Sequence, residues 1–327
     1  MIDTDFIKNK KNLLAFSAGI DSTALFFLLL ENNIDFDIAI VDYNLREQSK
    51  QEVQYAKELA KRYNKRCYLS IYDKDNFSEK SARDFRYKFF DTIITKYNYD
   101  ILLTAHQLND KLEWFFMQLS KGAGVFELIG LETISIRDNY NIFRPLLELS
   151  KDELEDYLNR NNYKYFIDET NTDIRYKRNY FRKEFSNKFI KEYKDGVKNS
   201  MQYLQNDIDS LTSLYNSFIY KDIYYAKFLK IDHNIMIRYI DQVLKKFGIM
   251  ISKDTRDEIL KQKEIIVSKK IAISIIDNII WIAPKLDNNM NKKFKEKCRV
   301  LKIPKNILLP NNVLDELSPL PNIHLSC

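Results

Sequence analysis

Residues 12–28 read Asn12-Leu-Leu-Ala-Phe-Ser17-Ala-Gly-Ile-Asp-Ser22-Thr-Ala-Leu-Phe-Phe-Leu28, and this stretch decides the fold. Leu13–Phe16 is a short apolar run that reads as a buried strand, and Ser22–Asn32 follows as an apolar helix. A strand, a tight loop and a helix in direct succession aim backbone N–H groups and the positive helix end at one point. Ser17 and Ser22 add hydroxyl donors, and Gly19 permits close backbone approach. Asp21 offers a carboxylate suited to a magnesium ion. The loop lacks the lysine of G-x-x-x-x-G-K-[ST] and is therefore a different phosphate loop. The plain alternative is an ordinary βα turn with a serine cap.

Outward from this unit, strands and helices alternate over the first 150 residues. Ile38–Val41, Cys67–Ile71, Ile101–Thr104 and Ile142–Phe143 read as buried strands, and Ser49–Tyr63, Ser78–Lys96 and Asn109–Ser120 as helices. That alternation predicts a doubly wound α/β domain with a five-stranded parallel sheet. Ser150-x-x-Glu153 is a capping box opening a helix to about Asn161. Further on, Val197, Met201, Leu204, Ile208, Leu211, Tyr215 and Phe218 recur at steps of four and three, which predicts one helix with an apolar seam. Helices over about Asn234–Phe247 and Thr255–Lys263 follow, then two β-rich runs, Glu264–Ser274 and Ile275–Ala283, with Asp277-Asn278 as the turn. The expected division is a catalytic domain over 1–198 and a smaller helical and β-hairpin domain, binding substrate, over 199–327.

Composition narrows the class. With 327 residues, 45% hydrophobic and 30% charged, the chain is an ordinary globular sequence. The net charge of +6 permits an anionic partner without requiring one. Cys67, Cys298 and Cys327 stand far apart without a C-x-x-C, which argues against a disulfide framework or a thiolate metal site. The acidic start, Met1-Ile-Asp-Thr-Asp5, is unlike a signal peptide, and the longest apolar run, Ala24–Leu30, is too short to span a bilayer. A cytoplasmic protein without membrane attachment is expected.

Several segments together carry a resemblance. Ser17–Ser22 resembles the S-G-G-x-D-S loop of N-type ATP pyrophosphatases, with Ala18 in place of the first glycine, a replacement that calls for a negative φ there. Val41-Asp-Tyr-Asn-Leu-Arg-Glu-Gln-Ser49 resembles V-x-H-x-L-R-x-x-S, with Tyr43 in place of histidine. Ala82-Arg-Asp-Phe-Arg-Tyr87 resembles A-R-x-x-R-Y. Thr104-Ala-His-Gln-Leu-Asn-Asp-Lys-Leu-Glu113 resembles T-A-H-x-x-D-D-Q-x-E, departing at Asn109 and Lys111. Arg144-Pro-Leu-Leu147 matches R-P-L-L, and Asp168-Glu-Thr-Asn171 with Arg178-Asn-Tyr-Phe-Arg182 resembles D-x-S-N…R-N-x-x-R. In this order, over roughly residues 12–190, the set resembles the tRNA(Ile)-lysidine synthases.

The resemblance implies a ligase that consumes ATP, with Mg²⁺, to adenylate C2 of the wobble cytidine of a CAU-anticodon isoleucine tRNA. Free L-lysine then displaces AMP. It implies that Ser17, Ala18, Gly19, Ile20, Asp21, Ser22 and Arg83 bind ATP or pyrophosphate, with Asp21 holding the metal. Asp21, His106, Asp110 and Glu113 would be catalytic, and Asp110, Glu113 and Arg86 would bind lysine. Only about one lysine in a few thousand carries a neutral amine at pH 7, so a nearby base is expected. Asp110 and Glu113 lie three apart on one helix face and can grip an ammonium or a metal together. Arg178, Asn179 and Arg182 open a basic stretch, nine Lys/Arg against three acidic residues from Arg175 to Lys198, expected to meet tRNA phosphate. The alternative for both arginines is pairing with Asp168 or Asp173. Phe181, Phe185, Phe189 and Tyr193, at four-residue steps, read as a core-facing stripe. A homodimer is compatible with all of this. The rival functions are a tRNA 2-thiolase, which generally wants a cysteine pair that this chain lacks, and a non-catalytic tRNA-binding protein.

Overall fold

The computed structural model describes residues 2–44, 47–72, 78–137, 139–167, 177–220, 222–286, 292–300 and 303–307. Contacts divide the chain into two units, Met1–Gln205 and Asn206–Cys327.

In the first unit, β1 (Asn12–Ala15), β2 (Phe36–Asp42), β3 (Cys67–Ile71), β4 (Ile101–Leu103), β5 (Ile134–Ile136) and β6 (Asn141–Phe143) form one sheet in the order β3-β2-β1-β4-β6-β5. The five strands read from the sequence pair in parallel, and β5 adds an antiparallel edge strand against β6. Its sequence, Ile-Ser-Ile, is too short to announce itself. Helices α1 (Ile20–Glu31), α2 (Glu47–Arg62), α3 (Glu79–Tyr97), α4 (Leu108–Leu119), α5 (Val125–Ile129) and α6 (Lys151–Arg160) connect or follow the strands. Leu14, Phe26, Phe36, Ile38 and Leu59 fill one core layer of the sheet, and Leu13, Ala39, Phe90, Ile94 and Leu102 another. Burying both sheet faces is what makes these strands continuous apolar runs instead of alternating ones. The crossovers leave the carboxyl ends of β1 and β4 side by side, the switch point where a doubly wound sheet opens a crevice.

The chain continues through α7 (Lys177–Phe181), a π-helical turn over Arg182–Ser186, and α8 (Asn187–Thr212). The unit boundary falls within α8. Here the structure corrects two expectations. The four-step aromatics are not a core stripe: Phe185, Phe189 and Tyr193 are 41%, 43% and 55% exposed. The wider π turn shifts the register by a fraction of a turn, so Ser186 and Ile190 face inward, and Ile190, Val197 and Met201 pack on Leu108 and Leu112 of α4. The apolar seam, moreover, does not stay helical to Phe218. The helix stops at Thr212, and Tyr215 and Phe218 belong to a strand rich in aromatic residues.

The second unit has a five-stranded antiparallel sheet. Its strands are β7 (Tyr215–Tyr220), β8 (Ile223–Phe228), β9 (Glu264–Val267), β10 (Ile271–Ile276) and β11 (Ile279–Pro284), in the order β7-β8-β11-β10-β9. The hairpin expected about Asp277-Asn278 is β10–β11, with Asp277 at φ 51°. It is extended by three further strands. Helices α9 (His233–Lys246) and α10 (Lys253–Gln262) complete this unit's main core, where Met236, Ile240 and Leu244 meet Ile273 and Ile282. A short basic helix, α11 (Lys292–Val300), follows.

Candidate active site

Two loops at the carboxyl ends of β1 and β4 build the site. In the first, Gly19 is the N-cap of α1 and provides no side-chain cap. By contrast, Ser78, Gln107, Ser150, Asp232 and Ser252 cap α3, α4, α6, α9 and α10 with their own side chains. The first-turn N–H groups of α1 thus keep their donors for an outside acceptor. Gly19 has φ −75°, and a Cβ there would meet only ordinary contacts, with Ser17 Oγ at 3.6 Å and Phe166 O at 3.9 Å. Nothing among the described residues demands glycine there, so a side chain would occupy space in front of the helix end that a ligand could use. Ser17 Oγ and Ser22 Oγ are 3.0 Å apart, and Ser22 Oγ accepts from the Ser17 N–H, which folds the loop over its own helix end. The Phe166 N–H donates to Ala18 O at 2.9 Å and clamps the loop from outside.

Ala18 corrects an expectation: its φ is +61°, not negative. It is fully buried, so the left-handed conformation is held by the loop around it, at a cost of ~1–2 kcal/mol for a residue with a Cβ.

Asp21 Oδ1 is buried without a hydrogen-bond partner among the described residues. Burial, reinforced by Asp110, pushes its carboxyl up to about 7, against the pull of Lys151 and Arg182. A buried carboxylate oxygen with no donor suits a cation or a protonated group, so the residue fits the magnesium role expected of it.

In the second loop, α4 begins with a box: the Gln107 N–H donates to Asp110 Oδ2 at 3.2 Å while Gln107 caps Asn109. Asp110 and Glu113 are both buried, and both face the arginines of the R-N-x-x-R segment. Arg178 Nε donates to Glu113 Oε1 at 2.5 Å, Arg182 Nε to Glu113 Oε2 at 2.7 Å, and an Arg182 terminal nitrogen to Asp110 Oδ1 at 2.7 Å. Burial pushes Asp110 up, but Arg182, His106 and Arg178 outweigh it and hold the group below the usual carboxylate range. Burial wins at Glu113, which is raised despite both arginines. Burial, with Arg144, Arg178 and Arg86 adding to it, pushes His106 down to about 4, against the pull of Asp110. The imidazole is therefore neutral at pH 7, with Nδ1 3.1 Å from Thr104 Oγ1.

The structure thus brings Asp21, His106, Asp110, Glu113, Arg86, Arg178 and Arg182 into one electrostatic neighbourhood. Arg83 stands apart from these contacts, over the Tyr87 ring at 5.1 Å. Arg86 hydrogen-bonds Tyr43, the residue in place of the histidine. Asn179 lies half-buried in α7. Asp168 and Asp173 lie outside the described residues. Asn109, a departure from the carboxylate pattern, donates to Asn187 Oδ1 at 2.9 Å and accepts from the Lys151 N–H at 3.1 Å, a double role that an amide fills and a carboxylate cannot. Sequence reasoning passed over Arg144 as a site residue. It is buried, donates to Glu132 O and Ser135 Oγ, and its Nε has no partner among the described residues. Its signal was the R-P-L-L segment itself.

An uncapped helix end beside a buried carboxylate at the switch point is an arrangement for a polyphosphate. The PP-loop domain family matches residues 2–189. Along the whole chain, a tRNA(Ile)-lysidine synthase of Campylobacter jejuni is 41% identical over 302 residues, covering 91% of each chain. One of Helicobacter pylori is 39% identical, covering 92% of this chain and 89% of its own. The chain belongs to the tRNA(Ile)-lysidine synthases. As a PP-loop member of that family it is an ATP-using ligase. Among solved structures, the U34-tRNA thiolase NcsA of Methanococcus maripaludis, bearing a [4Fe-4S] cluster, aligns with a TM-score of 0.50 at 17% identity, over 64% of this chain and 75% of its own. That likeness shows a shared fold. No helix among the described residues is long and apolar enough to cross a membrane.

Proposed function

We propose that the chain ligates free L-lysine to C2 of the wobble cytidine in a CAU-anticodon isoleucine tRNA. The cytidine O2 attacks the α-phosphorus of ATP and pyrophosphate leaves. The lysine ε-amine then attacks C2, AMP departs, and the amine gives up a proton. The observation that carries this reading is the pairing of two unlike half-sites at one switch point: an uncapped helix end with a partnerless Asp21, and a charge-saturated Asp110–Glu113–Arg178–Arg182 cluster.

In the first half-site, the N–H groups of Ile20, Asp21 and Ser22, with the hydroxyls of Ser17 and Ser22, neutralise the leaving pyrophosphate, where charge builds as the P–O bond breaks. Asp21 holds Mg²⁺, which supplies charge stabilisation to that same group when bound. The second half-site suits a zwitterion. Lysine's carboxylate takes an arginine, and the carboxylate so released takes the ammonium. Glu113, raised by burial, is the group there better suited to accept the amine proton, because the site that pushes His106 down to about 4 makes its imidazole a weak base.

Incubation with tRNA, ATP and lysine followed by mass analysis of the wobble nucleoside tests this directly. Lysidine is expected, with AMP and pyrophosphate formed only when tRNA is present. Exchange of pyrophosphate into ATP with lysine alone would refute it, because the amino acid would then be the adenylated partner.

A further inference from the structure

The residues expected to grip the tRNA backbone, Arg178 and Arg182, are held by Asp110 and Glu113. What the same segment turns outward is a row of rings. Tyr180, Phe185, Phe189 and Tyr193 are each at least 41% exposed. Phe185 and Phe189 lie 5.8 and 6.0 Å from Phe116 of α4, Tyr180 lies 5.7 Å from Phe185, and Phe189 lies 4.9 Å from Tyr193. Phe116 is one helical turn from Glu113, so the row starts beside the carboxylate cluster. The π turn makes this possible, because it directs Arg182 to the carboxylates and Phe185 away from the core.

We propose that this aromatic row is a stacking platform for the unpaired anticodon-loop nucleotides that flank the base being modified, and the proposal rests on the tRNA reading above. A base that reacts inside a pocket must leave its stack, and its unstacked neighbours need new π-faces nearby. The charge around the rings suits RNA. From Lys177 to Lys198, eight Lys/Arg stand against three Asp/Glu, and Lys183 and Lys191 make no ion pair with other described residues. A second copy of this face would bring like charges together, whereas a phosphate backbone complements them.

The test is filter binding of a CAU-anticodon stem-loop over a range of salt, on the full chain carrying Phe185→Leu and Phe189→Leu. Leucine keeps the apolar contact with Phe116 and removes the ring face. The dissociation constant is expected to rise about tenfold or more with an unchanged salt slope, because no charge is lost. ATP binding should stay put, and Phe185→Trp with Phe189→Trp should restore RNA affinity whatever the leucine pair does to melting. Lys183→Gln with Lys191→Gln should lower the salt slope by about one to two units. Stem-loop affinity within twofold of wild type in the leucine pair would overturn the platform, as would an effect confined to the oligomeric state. A wild-type chain that neither binds nor adenylates the RNA would overturn the tRNA reading as well.

Discussion

The loops after β1 and β4 lie side by side and are built on opposite plans. The first leaves key groups open: α1 has no side-chain cap, Asp21 Oδ1 has no partner among the described residues, and Ala18 is held at φ +61°. The second pairs the carboxylates it buries, with α4 capped by Gln107 and Asp110 and Glu113 shared between two arginines. The difference is a matter of what each must receive. A polyphosphate brings many acceptors and needs open donors waiting for it. Free lysine brings one carboxylate and two ammonium groups, which can exchange for partners already in place. Cost is therefore stored at the first loop and compensated at the second.

The largest expected effect is at the unsatisfied loop. Asp21→Ala should lower turnover by about 10²–10³-fold with tRNA binding intact, as measured by AMP release and filter binding. Asp21→Asn should instead reveal the stored cost. Burial pushes the folded carboxyl up to about 7 from the ordinary aspartate value of 3.8 that it keeps in the unfolded chain, so folding takes up a proton between those limits. Wild-type stability must then fall as pH rises from about 4 to 7, while the asparagine variant lacks this loss. The variant's advantage in thermal melting should grow across that window and level off above it. A constant or shrinking advantage would mean that Asp21 has a partner after all.

The saturated loop should respond in stability. Arg182→Ala leaves Asp110 without its closest cation, and denaturant unfolding should show a loss of roughly 3 kcal/mol, moderated because Arg178 still covers Glu113. The salt slope of tRNA binding should not change. A smaller slope with unchanged stability would instead return Arg182 to the RNA backbone and erase the contrast between the loops. The smallest effect is at Ala18. Ala18→Gly removes a left-handed cost of ~1–2 kcal/mol and adds unfolded-chain entropy of ~0.5–1 kcal/mol, for a net gain of about 0.5–1 kcal/mol in unfolding free energy. A loss of stability there would show that the buried methyl group contributes more packing than the backbone loses in strain.

Sequence alone determined the parallel sheet, the phosphate loop and the family. Each of these rests on local order: apolar runs of strand length, a strand–loop–helix junction, and the Ser150–Glu153 box, which forms with the Ser150 N–H donating to Glu153 Oε2 at 2.8 Å. Tertiary structure decided what depends on residues distant in the chain. The pairing of Arg178 and Arg182 with Asp110 and Glu113 joins positions 65 to 72 residues apart, and no periodicity encodes such a choice among acids. The outward turn of Phe185 and Phe189 depends on one π turn, which a four-residue spacing cannot distinguish from a regular helix. The left-handed Ala18 follows from the clamp by Phe166 and the fold of the loop over α1, because a backbone dihedral at a non-glycine residue is set by the contacts that hold it there.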